Sequence, residues 1–203
     1  MSLPVPADSA APDEAPGPPA PAPAPAGRKR KSVRVAIEWG AILVVAVLAA
    51  VLIRSFVVQP FYIPSGSMEP TLNVGDRVLV NKLSYDVHAV HRGDIVVFKK
   101  PPNDTSPGVK DLIKRVIGLP GERISGQNGH VYINGHELAE PWLPKGVTTA
   151  PFPATSIPAG EYFMMGDNRN DSADSRIIGP VPKSLFIGRA FLRVWPISRI
   201  GTL

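Results

Sequence analysis

Three short segments of this 203-residue chain combine residue types that can do covalent chemistry. In the first, Phe61-Tyr62-Ile63-Pro64-Ser65-Gly66-Ser67-Met68-Glu69-Pro70-Thr71-Leu72, two prolines stiffen a turn and Gly66 permits close backbone approach. Such a turn can hold a small hydroxyl at Ser67 exposed, although Ser-Gly-Ser is more often a plain loop than a nucleophile. The second is Asp111-Leu112-Ile113-Lys114-Arg115-Val116-Ile117-Gly118-Leu119-Pro120-Gly121-Glu122. Strand alternation would put Lys114 on one face with Leu112 and Val116, and Ile113, Arg115 and Ile117 on the other. A lysine turned into an apolar lining loses hydration, its pKa falls, and the neutral amine becomes a base near neutral pH. Depression by ~2 to 3 units costs about 3 to 4 kcal/mol of stability, whereas a solvated Lys-Arg surface pair costs nothing. The third, Gly166-Asp167-Asn168-Arg169-Asn170-Asp171-Ser172-Ala173-Asp174-Ser175-Arg176, is dense in side chains that bond to their own backbone, as in an ordered polar loop. A calcium loop is the competing reading; Arg169 and Arg176 oppose it, and the glutamate of the helix-loop-helix pattern is absent.

The alternatives to a lysine base are few. With no cysteine in the chain, disulfides, thiolate metal ligands and a cysteine nucleophile are excluded together. His88, His91, His130 and His136 fall in polar, turn-like stretches with no companion acid at a telling spacing. His88 and His91 make two metal ligands without a third, so no metal site and no cofactor are expected. The net charge of +5 is modest, and Arg28, Lys29, Arg30, Lys31 and Arg34 crowd before an apolar stretch, which suits a membrane flank better than nucleic acid.

The elements that must position these residues follow from composition. Residues 1–34 read as a disordered Pro/Ala-rich tail ending in the basic flank, because so few apolar side chains cannot offset the entropy of ordering. Residues 35–58 read as a transmembrane anchor: residues 39–53 carry no charge, and the flanks extend the run to the ~20 residues a bilayer core requires. A cleaved signal peptide or a buried helix fits the same run, but Ala49-Ala50 is followed by Val51-Leu52-Ile53 with no polar break. Positive charge before the span keeps the N-terminus cytoplasmic and sends the rest outside. Residues 59–203 read as one mainly β, antiparallel domain, with strands expected at 77–80, 94–98, 130–133 and 161–165 and a hairpin at Asn134-Gly135. Within it, about 122–160 reads as a small cap-like insertion containing that hairpin.

Over about residues 36–195 the chain resembles the bacterial type I signal peptidases. The first segment is similar to the family's nucleophile box, Arg92-Gly93-Asp94-Ile95-Val96-Val97-Phe98 to the following strand box, Lys114 to Gly121 to the base box and residues 166–176 to the last box. The resemblance implies a membrane-bound serine endopeptidase on an antiparallel β fold, with Ser67 as nucleophile and Lys114 as general base. It further implies an oxyanion site made by the Ser67 N–H and the Ser65 hydroxyl, a Ser172 hydroxyl orienting Lys114, and a structural ion-pair group of Asp174, Arg176 and Arg115. Pocket positions carried over are Phe61, Ile63, Met68, Leu72, Leu112 and Ile113, which would admit only small side chains and so favour cutting signal peptides after Ala-X-Ala. The implied partners are preprotein signal peptides and the lipid bilayer, with the site on the outer face of a bacterial plasma membrane. Two positions depart from the family pattern: Asn170-Asp171 stands where Asp-Asn is usual, and Ile178 where an aromatic is usual. A soluble self-cleaving Ser-Lys protease and a catalytically silent membrane-anchored binder are the rival readings.

Overall fold

A computed structural model describes Gly17, residues 28–104, Gly108 and residues 110–203, without the side chains of 28–32 and 52–56. The tail expected over residues 1–27 thus lies outside the described residues, Gly17 excepted. The apolar run folds as α1 (Arg28–Phe56). Its stretch Val33–Val51 is long and apolar enough to cross a membrane, and none of it is buried. Trp39 keeps 68% of its surface exposed and Leu43 66%, an all-round apolar surface that lipid tolerates and water does not. The chain divides into a unit ending at Ala46 and a second unit, Val47–Leu203, that carries every described strand.

In the second unit the Val-, Ile- and aromatic-rich runs pair as strands. These are β1 (Val58–Tyr62), β2 (Arg77–Asn81), β3 (Ile95–Lys99), β4 (Asp111–Gly118), β5 (Arg123–Gln127), β6 (His130–Ile133), β7 (His136–Glu137), β8 (Phe152–Ser156), β9 (Glu161–Met165), β10 (Val181–Pro182), β11 (Phe186–Trp195) and β12 (Gly201–Thr202). Two short helices, α2 (Ser84–Val87) and α3 (Ser175–Ile178), interrupt them. One antiparallel sheet runs β1-β2-β11-β3-β4-β9-β10 with β12 on β11, and the other runs β7-β6-β5-β8. The mainly β, antiparallel class expected from the sequence is what forms, and the four expected strands coincide with β2, β3, β6 and β9 to within a residue at either end.

The smaller sheet is an excursion from the larger. Strands β4 and β9 are direct neighbours, yet the chain between them builds β5 to β8 before returning. It turns twice through Asn-Gly: at Asn134-Gly135, where both residues have positive φ, 51° and 85°, Ile133 pairs with His136 across a two-residue loop, and at Asn128-Gly129, with φ 52° and 85°, Gln127 pairs with His130 in the same way.

Strand β4 sorts the core by alternation. Ile113 packs with Ile63, Met68, Leu72 and Val97; Leu112 and Val116 pack with Val96, Phe98 and Met164; Ile117 packs with Ile124, Phe163 and Met165. Lys114, between Ile113 and Arg115, has Val96 as its β3 partner, in register with Leu112 opposite Phe98. Each fully buried Val, Leu, Ile, Met or Phe contributes about 1.5 to 3 kcal/mol, so slipping β4 by one residue would forfeit several such terms.

Candidate active site

Ser67 sits in the middle of a single 3-10 turn, Gly66–Met68, entered through extended Ser65. The turn is pinned from below. Met68 is wholly buried, as is Leu72, and the Leu72 amide donates to the Met68 carbonyl at 2.9 Å. It is also held from the side: the Asn168 amide donates to the Ser67 carbonyl at 3.2 Å, and Asn168 Nδ2 to the Gly66 carbonyl at 3.1 Å. Between these restraints Ser67 itself stays half-buried.

Lys114 Nζ lies 2.6 Å from Ser67 Oγ. With 3% of its surface exposed, the lysine has lost its hydration, and burial lowers its pKa from 10.5 to about 8. Asp174 and Asp104 pull it back upward, Arg176 pushes it down, and Asp167 adds a smaller upward pull. Burial outweighs them, so near neutral pH a substantial minority of molecules holds an unprotonated amine able to accept the Ser67 proton.

Ser65 Oγ is exposed and 3.5 Å from Ser67 Oγ. The Ser67 N–H lies in the first turn of the 3-10 segment, where the turn itself supplies no acceptor.

The third segment folds over this pair through Gly166. A Cβ there would stand 2.3 Å from Ser172 Oγ and 2.4 Å from the Ser67 carbonyl oxygen, so only glycine lets the three chains meet. The close approach expected at Gly66 occurs here instead; a Cβ at Gly66 would meet only the movable Glu69 carboxylate, at 3.2 to 3.3 Å.

Three further expectations are corrected. Ser172 does not bond Lys114: its Oγ is buried against Gly166 without a hydrogen-bond partner, while the lysine turns to Ser67. The ion-pair group is two groups. Asp174 pairs with Arg176 at 2.8 Å and also accepts the Gly166 amide at 3.0 Å, whereas Arg115 pairs bidentately with Asp167 at 2.8 and 2.6 Å. Arg115 is opposite Met165 on β9, and Asp167, two residues on, continues that face, which makes it the nearer carboxylate. Finally, the pocket set is split: Phe61, Ile63, Met68, Leu72 and Ile113 share one apolar cluster, but Leu112 packs on the opposite face of β4.

The sequence reading gives Asp167 and Asn168 no role and uses Arg169 only as a charge that opposes a calcium loop, whereas the structure places all three at contacts. Asp167 is legible in principle from strand register. Nothing in the sequence marks Asn168 as the brace of the nucleophile turn. The histidines lie elsewhere: His88 and His91 line a cavity with Tyr85, Asp94 and Arg189, His130 pairs with Glu137 at 3.1 Å, and His136 is exposed. Among the described residues, no three His, Asp or Glu side chains are grouped to hold a metal ion.

Residues 36–195 match the family model described as signal peptidase, peptidase S26. A Synechocystis sp. protein named probable signal peptidase I-2 is 42% identical over 170 residues, 82% of this chain and 77% of that one. A signal peptidase I from Leptolyngbya laminosa is 44% identical over 78% of this chain and 79% of its own length. Signal peptidase I T of Bacillus subtilis is 37% identical over 84% of this chain and 91% of its own. A family match over most of the chain and relatives at this identity place the protein in one family: the chain belongs to the signal peptidases of peptidase family S26.

Proposed function

We propose that this protein is a membrane-anchored signal peptidase I that cleaves signal peptides from exported preproteins, with Ser67 as nucleophile and Lys114 as general base. The observation that carries the assignment of residues is the 2.6 Å approach of a buried, pKa-lowered Lys114 to Ser67 on a braced turn. Ser67 Oγ bonds to the scissile carbonyl carbon as its proton passes to the Lys114 amine, and the carbonyl oxygen takes the negative charge. The Ser67 N–H and the Ser65 hydroxyl stabilise that oxyanion. Collapse breaks the C–N bond, the Lys114 ammonium gives its proton to the leaving amine, and the signal peptide is left as an ester on Ser67. Water, deprotonated by the same amine, then releases it.

Small side chains before the cut are favoured because Ile63, Met68, Leu72 and Ile113 already fill the apolar layer beneath Ser67. Phe61 borders that layer, and Leu112, turned the other way, is outside the set. The apolar α1 fits an anchor in the bilayer, and the basic residues before it favour a cytoplasmic N-terminus with the catalytic domain outside. In detergent, the wild type is expected to cleave an Ala-X-Ala preprotein, and Ser67→Ala to leave it intact; equal cleavage by both would end the proposal.

A further inference from the structure

Arg169 is the least accessible cation of the last segment, its side chain 0% exposed, and the mechanism does not use it. Its guanidinium spends its donors on two different parts of the fold. Nη1 donates to Glu140 Oε2 at 2.9 Å and Thr149 Oγ1 at 2.7 Å, and Nη2 donates to Glu140 Oε1. Nε turns back to the Gly166 carbonyl at 3.1 Å. Glu140 and Thr149 belong to the excursion between β7 and β8, and buried Thr149 is fixed there by its amide on the Gly129 carbonyl at 2.9 Å. The residue before Arg169 is Asn168, whose amide and side chain hold the carbonyls of Ser67 and Gly66. Both ends of this short path are thus anchored, one in the connection between β7 and β8 of the smaller sheet and one on the turn that carries Ser67.

A buried bidentate Arg–carboxylate pair adds little net stability over apolar packing, but it fixes geometry tightly. We propose that Glu140 is a positioning residue: through Arg169 and Asn168 it uses the smaller sheet to set the height of the Ser67 turn against Lys114. It touches no reacting atom. Its effect is on the alignment of Ser67 Oγ with the amine and the scissile carbonyl, an alignment that matters in the chemical step and little in preprotein binding.

This inference rests on the Ser67–Lys114 assignment, and Ser67→Ala measured alongside separates the two. If Ser67→Ala cuts a preprotein as the wild type does, that assignment fails; if only the wild type cuts it, the role of Glu140 is read against the wild-type rate. Glu140→Gln, which keeps the size and removes the charge, is expected to lower kcat about 10- to 100-fold with KM changed by less than about threefold. Because Glu140 acts through Asn168, the double variant Glu140→Gln/Asn168→Ala should be no slower than Asn168→Ala alone, within about threefold. Multiplying losses, or a loss confined to KM or to thermal midpoint, would overturn the proposal. Thr149→Val, which removes one acceptor at nearly constant volume, supplies the same test if Glu140→Gln does not fold. Its smaller loss should likewise vanish in the Asn168→Ala background, and persistence of that loss there would contradict the proposal.

Discussion

Lys114 and Arg115 are adjacent on β4, both cations by type and both removed from water, with 3% and 5% exposure. Their fates differ because alternation sends them to opposite faces of one strand. Arg115 meets Asp167 in a bidentate pair, donates to the Gly93 carbonyl at 2.8 Å, and lies 5.3 Å from the centre of the Trp142 ring. Its charge is kept and spent on structure. Lys114 meets the Ser67 hydroxyl on the strand face it shares with Val116 and Leu112, with carboxylates acting only from a distance, and its hold on the proton weakens. A buried cation becomes a base when desolvation is left unanswered, and a girder when it is answered.

Exchanging the two behaviours should give the largest effect. Lys114→Arg keeps a charge at the site but cannot give up its proton, and preprotein cleavage is expected to fall about 10²- to 10⁴-fold. An enzyme within tenfold of wild type would show that charge alone suffices. On the other face, Asp167→Ala leaves the Arg115 charge buried and unpaired, which should cost about 3 to 5 kcal/mol in denaturant unfolding. A cost under about 1 kcal/mol would mean that the pair behaves as a surface one.

A subtler effect concerns stability and pH together. The folded pKa of Lys114, about 8, lies below 10.5, so between those values the unfolded chain binds the proton more firmly and stability rises with pH. The destabilisation is fully present below about pH 8 and is gone above 10.5. Lys114→Met, inactive, is therefore expected to unfold at higher denaturant at pH 7, by up to about 3 kcal/mol, with the gain shrinking toward pH 10.5. The reverse trend would contradict a desolvated lysine.

The same contrast separates what local sequence declares from what only the folded chain decides. Alternation along residues 112–117 puts Lys114 with Leu112 and Val116, and the core clusters follow it, because a one-residue period shift would bury the wrong face. Asn134-Gly135 declares its turn because few other pairs tolerate two positive φ values. What stays hidden depends on contacts between segments far apart in sequence. Motif alone assigns Arg115 to Asp174, since choosing between carboxylates requires knowing that Met165 is paired with Arg115. It likewise assigns Ser172 to Lys114, but Gly166 brings that serine against the Ser67 carbonyl instead. Leu112 enters the pocket set by motif and leaves it by strand face. The Ser67 and Lys114 segments, each more readily read as a loop and a surface pair when taken alone, are singled out by the resemblance of several segments together, and the fold brings Ser67 and Lys114 to 2.6 Å.

The central claim is that a desolvated lysine, not a histidine, takes the proton from Ser67. The pH dependence of preprotein kcat/KM tests it directly when recorded for the wild type beside a variant lacking His88, His91, His130 and His136. Both are expected to rise with one ascending limb near pH 8, superimposable within a few-fold, with activity growing roughly tenfold from pH 7 to the plateau. A limb near pH 6.5 that disappears with the histidines, or a loss beyond about 100-fold in the variant, would contradict the account.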